Sequence, residues 1–104
     1  MKITTSSEIA GLKIEQTLGL VRGNTIRVRH LGRDIVAEFR KLIGGEIQGY
    51  TKMMAEAREQ AVDRMIDDAK SLGANAIVDV RFSTSYVMSG AAEILAYGTA
   101  VIVR

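Results

Sequence analysis

His30, Asp34 and Glu38 stand four apart. A helix beginning at His30 would therefore stack an imidazole and two carboxylates along one side, a nitrogen and oxygen donor set that a divalent transition metal accepts. That side lies opposite Ile35, Phe39 and Leu42 and so faces water, and the chain has no other His and no Cys to complete the set. Glu59, Asp63 and Asp67 repeat the spacing further on, as a carboxylate ladder on the outer face of a second helix. Paired metal sites inside helical bundles also need Glu-x-x-His on facing helices, which is absent. Gly44-Gly45-Glu46-Ile47-Gln48-Gly49-Tyr50-Thr51 spaces its glycines like a phosphate loop, but no Lys follows the last Gly and a helical pattern, not a strand, precedes it. What remains there is the N-terminus of the long helix at Tyr50 and Thr51, whose free N–H groups suit an anion. No Ser/His/Asp order and no Cys/His pair supports nucleophilic catalysis. A non-enzymatic protein is expected, with no catalytic residue and no protein metal site assigned.

Arg58 is the charged residue that least fits its surroundings. From Thr51 to Leu72 there is no Gly or Pro, and Met54, Ala57, Ala61, Val62, Met65, Ala69 and Leu72 recur every three or four positions. This predicts one long amphipathic helix with a wide apolar face, widened further by Ala55 and Ile66. Arg58 projects from the middle of that face, where an unpaired guanidinium costs several kcal/mol. Asp68 is ten residues away, roughly 15 Å along the helix, and cannot reach it. The position calls for a carboxylate (Asp34, Glu46, Asp79 or Glu93, from this chain or a neighbouring copy), for a stem that snorkels to water, or for an anionic ligand. Arg58, Glu46 and Tyr50 are accordingly the candidate ligand-binding residues, in a cleft between subunits.

The elements that must position these residues are legible as alternation and punctuation. Ile3 to Thr5 predicts a short strand, followed by a turn through Ser6-Ser7-Glu8 and Gly11. Leu12 to Arg22 alternates with Leu12, Ile14, Leu18 and Leu20 inward, and Gly19 inside it marks a bulge or a close backbone approach. Gly23-Asn24 between two strand patterns predicts a hairpin turn. A returning strand then runs from Thr25 to His30, with Ile26 and Val28 inward and Arg27 and Arg29 outward. A short helix is expected from Gly32 to Ile43, ended by Gly44-Gly45, and then the long helix, with Thr51 as its N-cap. Gly73 is placed as an αL C-cap. Ala76 to Phe82 follows with period two and continues to Met88, Ser89-Gly90 turns the chain, and Glu93 to Val103 is a strand apolar on both faces. Such a strand is central or lies at a subunit interface. Two helices can cover one face of this small sheet, so other copies of the chain are expected to cover the second.

Composition bounds the rest. With 104 residues the chain is a single domain, residues 1–104, and with 47% hydrophobic and 25% charged residues it is ordinary globular protein. Lacking cysteine, it has no disulfide, no thiolate chemistry and no Cys-based metal site. Met1-Lys2-Ile3-Thr4-Thr5 has no apolar signal region and no apolar run reaches the ~20 residues of a membrane span, so a soluble cytoplasmic protein without membrane contact is expected. Net charge is only +2, but Arg22 to Lys41 is locally basic and Glu46 to Lys70 locally acidic, which suits pairing of one subunit with the next. No aromatic platform interleaves the basic stretch, so nucleic acid is not expected as a partner.

Taken in order, Thr4-Thr5, Leu18-Gly19-Leu20-Val21-Arg22-Gly23, Gly44-Gly45, Tyr50, Ala57-Arg58-Glu59-Gln60-Ala61, Gly73-Ala74-Asn75-Ala76-Ile77-Val78 and Tyr97-Gly98-Thr99-Ala100-Val101 resemble the YbjQ-like family, small prokaryotic proteins labelled heavy-metal-binding. The resemblance implies an α+β subunit, a small mainly antiparallel sheet with two helices on one face, related to the dodecin-like folds. It also implies assembly as a ring, usually a pentamer. The expectation for function is a homo-oligomeric binding or scaffold protein with no assigned cofactor. A metal-ion binder, as the family label suggests, and a small-molecule carrier using intersubunit clefts are the alternatives.

Overall fold

The computed structural model describes residues 1–28, 48–88 and 91–104. Within them run strands β1 (Lys2–Ile3) and β2 (Ile14–Val28), helix α1 (Gln48–Ser71), and strands β3 (Ala76–Met88) and β4 (Ala91–Val103). The strands form one mixed sheet in the order β1-β3-β4-β2, with β1 parallel to β3 and the other pairs antiparallel. β4 is therefore a central strand, and every residue from Ala91 to Val103 is buried or half-buried, as its two-sided apolar pattern predicts. The predicted short helix from Gly32 to Ile43, the Gly44-Gly45 stop and the Ser89-Gly90 turn lie outside the described residues.

The long helix forms with its predicted C-terminus. Gly73 adopts φ +83°; Ala74 N–H reaches Ala69 C=O at 3.1 Å and Gly73 N–H reaches Lys70 C=O at 3.0 Å. This pair of bonds satisfies carbonyls that the helix end would otherwise orphan. At the other end the helix begins at Gln48, so Thr51 is helical and is not the N-cap.

The predicted hairpin at Gly23-Asn24 is not formed. β2 runs unbroken through both residues as a 15-residue strand, and neither has the positive φ that a tight hairpin turn requires. Gly23 is needed for a different reason: α1 lies directly on it. A Cβ at Gly23 would overlap the Ala61 carbonyl oxygen and the Met65 nitrogen and come within 2.7 Å of Arg64 Cβ. This contact also sets which side of β2 faces inward. Val21, Gly23 and Thr25 are buried beneath the helix, and the Thr25 hydroxyl donates to Ala57 C=O at 2.9 Å. Ile26 and Leu20, predicted inward, instead stand 57% and 66% exposed on the opposite face. The bulge signalled by Gly19 is present as a register shift between Thr17 and Gly19 against β4, and it inverts the alternation that the first half of the strand suggests.

Two cores result. Val21, Ile77, Ile94, Ala96 and Ala100 of the sheet pack under Ala57, Ala61, Met65 and Ala69 of the helix. On the other face, Ala76, Val78, Val101 and Val103 are covered by Ile9, Leu12 and Ile14. The second face of β4 is thus roofed at its C-terminal end by the chain itself, where other copies were expected. The N-terminal segment that supplies this roof is held to β3 by Val80 N–H to Thr4 C=O and Asp79 N–H to Ser6 C=O, both 3.0 Å. Arg81 donates to Thr5 C=O at 2.7 Å. Asp79, with φ +55°, sits at a bulge in β3 and accepts the Ser7 hydroxyl at 3.0 Å.

Among the described strands β2 lies at the edge of the sheet, and the helix guards its middle. Asp68 Oδ2 accepts Arg22 N–H at 3.1 Å, and Arg64 donates to Asn24 C=O at 2.6 Å. Both groups belong to residues flanking Gly23 and point away from β4. Capping them removes part of the template that an open edge offers to another strand.

Two outcomes are expected. Gly23→Ala must lift the helix off the sheet and should cost about 3 kcal/mol in urea unfolding, against about 1 to 2 kcal/mol for Gly73→Ala, where only φ is strained. The double variant Arg64→Ala/Asp68→Ala should keep its helical circular dichroism, since both side chains lie at the surface. It should scatter light at lower temperature than the parent on heating, and equal onset temperatures would show that the caps do not protect the edge.

Candidate ligand groove

Helix α1 packs over β2 and β4 and barely touches β3. Among the described residues the helix side of β3 is consequently left open from Phe82 onward, and a groove runs between that strand and the near flank of the helix. One half, a cavity of about 390 Å³, is lined by Thr51, Met54 and Arg58 of the helix with Thr84 and Tyr86 of β3. The other, about 310 Å³, is lined by Arg58, Glu59, Val62 and Asp63 with Phe82. Arg58 is common to both. Phe82, Thr84 and Tyr86 project together because they alternate along one strand, and Thr51, Met54 and Arg58 because they are three and four apart on one helix.

Arg58 is exposed in the subunit, although an averaged wheel centres it on the apolar face. The reason is the slant of the helix. The buried line follows Ala57, Ala61, Met65 and Ala69, four residues per step, and each step advances about 40° around the axis. Arg58 shares a bearing with Met65 and Ala69 but sits nearly two turns before Met65. At its own level the contact line has already passed to Ala57, which leaves Arg58 over the open groove. Among the described residues no carboxylate lies within ion-pair distance of it; the pair present there is Arg104 with Glu15, at 3.2 Å. The helix explains why. The positions three and four residues from Arg58 are Met54, Ala55, Ala61 and Val62, all apolar, while Glu59 and Asp63 fall at spacings that do not face it.

Of the other candidate residues, Tyr50 belongs to the first turn of α1, one residue before Thr51, and Glu46 lies outside the described residues, as do His30, Asp34 and Glu38. Among the described residues, no three His, Asp or Glu side chains converge as a metal site would require. The basic stretch is divided: Arg22 is exposed beside Leu20 on the far face, whereas Arg27 is half-buried on the helix side and donates to Gln60 Oε1 at 2.8 Å. No described helix is long and apolar enough to cross a membrane. Sequence reasoning missed Phe82, Thr84 and Tyr86 as groove residues. Their alternation placed them on one face, but only the seat of the helix on Gly23 says that α1 does not cover this face.

Similarity to known proteins agrees with the fold. Over 104 residues the chain is 58% identical to a "UPF0145 protein" of Thermosipho africanus, covering 100% of this chain and 96% of that one. It is 57% identical over 101 residues to a namesake from Methanosarcina acetivorans, covering 97% and 95%. A crystal structure of a protein of unknown function in the DUF74 family, from Pediococcus pentosaceus, superposes with TM-score 0.67 at 18% identity, covering 100% of this chain and 98% of that one. At that identity the likeness concerns the fold alone, an α+β subunit with a helix on a four-stranded mixed sheet. The sequence profile of the YbjQ family, described as "Putative heavy-metal-binding", matches residues 1–104, and the chain belongs to that family.

Proposed function

We propose that this protein is a homo-oligomeric, non-enzymatic binding or scaffold protein of the cytoplasm, whose subunits close the groove at Arg58 into an intersubunit cleft for a small ligand. The observation that carries this reading is surface. The subunit exposes 7021 Å², about 1,300 Å² more than the roughly 5,700 Å² expected of a compact monomer of this size. Its radius of gyration is 17.3 Å against the roughly 13 Å of a globule of equal length. The molecule measures 53 × 24 × 16 Å, and its described residues form a long thin sheet with one helix on it. Its exposed apolar residues also fall on both faces, with Leu20 and Ile26 on one and Phe82 and Tyr86 on the other. A surplus of this order is comparable to what a subunit loses in standard contacts with two neighbours, which supports a closed ring. Five copies with a dodecin-like relationship is the number and kinship that the family resemblance implies.

Native mass spectrometry of purified protein tests the assembly, and a single species of five subunits is expected. Arg58→Ala should leave the circular dichroism of the subunit intact, because the side chain is exposed there, while lowering the oligomer's mass or melting temperature; no change in either would remove Arg58 from the interface.

The family description favours a second reading, a metal-ion binder. Thiolates and clustered imidazoles are what soft metals select, and with one His and no Cys the chain offers neither. Titration calorimetry with zinc, copper and nickel is expected to give only dilution heats. Saturable binding at one site per subunit would make the metal reading the better one.

A further inference from the structure

We infer that the groove takes a small organic anion with a flat apolar body, its carboxylate or phosphate held at Arg58 and its body laid against Phe82 and Tyr86. This deepens the cleft reading by naming the class of ligand. Three observations meet in the groove. The first is charge: Arg58 lines both halves, and every position from which its own helix could supply a carboxylate is apolar. The second is hydrogen-bonding polarity. The described lining of the wider half carries the guanidinium and the hydroxyls of Thr51, Thr84 and Tyr86, all able to donate, and no carboxylate. Glu59 and Asp63 are confined to the narrower half, so an anion is directed to the hydroxyl side of Arg58.

The third is the apolar wall. The chain has only five aromatic side chains, three Tyr and two Phe. Phe82 and Tyr86 stand 49% and 75% exposed on the same face of one strand, and Met54, only 8% exposed, lines the groove beside Tyr86. Exposed rings clustered on a groove floor beside a thioether form a surface that a planar body covers well. Phe82 and Tyr86 lie about 13 Å apart along β3, which limits the body to one or two fused rings or a chain of similar length. A guanidinium forks onto a carboxylate or a phosphate with two parallel hydrogen bonds, so the shared feature is an oxyanion on a flat apolar frame.

The test uses 2-naphthoate, its neutral counterpart 2-naphthalenemethanol, and inorganic phosphate as competitor. Because the chain contains no Trp, naphthalene fluorescence anisotropy can be followed without competing indole emission. Saturable binding of naphthoate is expected, with the alcohol at least about tenfold weaker. Arg58→Gln should weaken naphthoate by a similar factor, while Arg58→Lys should recover part of the loss. Phe82→Ser should weaken both probes together, and phosphate should displace naphthoate without matching its affinity. Equal binding of naphthoate and the alcohol, indifference to Arg58→Gln, or no saturable binding would overturn the assignment. Native masses of the same samples separate the two ideas. An intact oligomer that ignores naphthoate removes only the ligand class, whereas a monomer that binds it in an Arg58-dependent way keeps the ligand class and removes the assembly.

Discussion

Helix α1 can rest on the sheet only because nothing projects from Gly23. The helix backbone at Ala61 and Met65 occupies the space that any side chain there would fill, and Ala57, Ala61 and Ala69 keep the helix's own contact line thin. Small residues on both partners bring the two backbones unusually close, so van der Waals contact between main chains replaces the usual interdigitation of large side chains. The arrangement fixes the helix laterally over β2. The hydroxyl of Thr25 and the side chains of Arg64 and Asp68, bonded to the strand on either side of Gly23, then act as rivets around that seat.

A helix set over one edge of a sheet cannot cover the other. With α1 centred on β2, the near flank of the helix and the helix side of β3 become, among the described residues, the two walls of an open channel, and the slant of the contact line puts Arg58 midway along it. The same offset leaves more of the sheet's surface exposed. The groove, the exposed aromatics and the surplus area are thus consequences of a single packing decision at one glycine.

That decision marks the limit of what was legible in the sequence. Local periodicities reported the helix, its αL stop at Gly73, the β3 strand and the two-sided β4 strand correctly, because each depends on neighbours within a few residues. The Gly19 bulge was legible for the same reason. Gly23-Asn24 was not, since a glycine that admits a distant helix and a glycine that turns a hairpin look alike without knowing what lies above them. A separate miss begins upstream: the bulge at Gly19 moves the inward side from even to odd positions, so Val21 and Thr25 fill the core where the alternation predicts Leu20 and Ile26. The helical wheel places Arg58 in the middle of the apolar face, yet the side chain is exposed in the subunit, because a wheel that collapses 24 residues onto one circle cannot show at which level a slanted contact line passes by.

The strap that precedes β2 and runs along β3 ties together parts of the chain that lie far apart in sequence. Thr5 and Arg81, joined by one of its hydrogen bonds, are 76 positions apart, and β1 pairs with β3 at Ala76 and Ile77. A nascent chain emerging from the ribosome therefore carries this strap without a docking place until Ala76 to Arg81 of β3 have been made. Closing so large a loop is slow and comes late, so Ile9 and Leu12 spend translation in water, and their cover over Val101 and Val103 is among the last parts of the subunit to form.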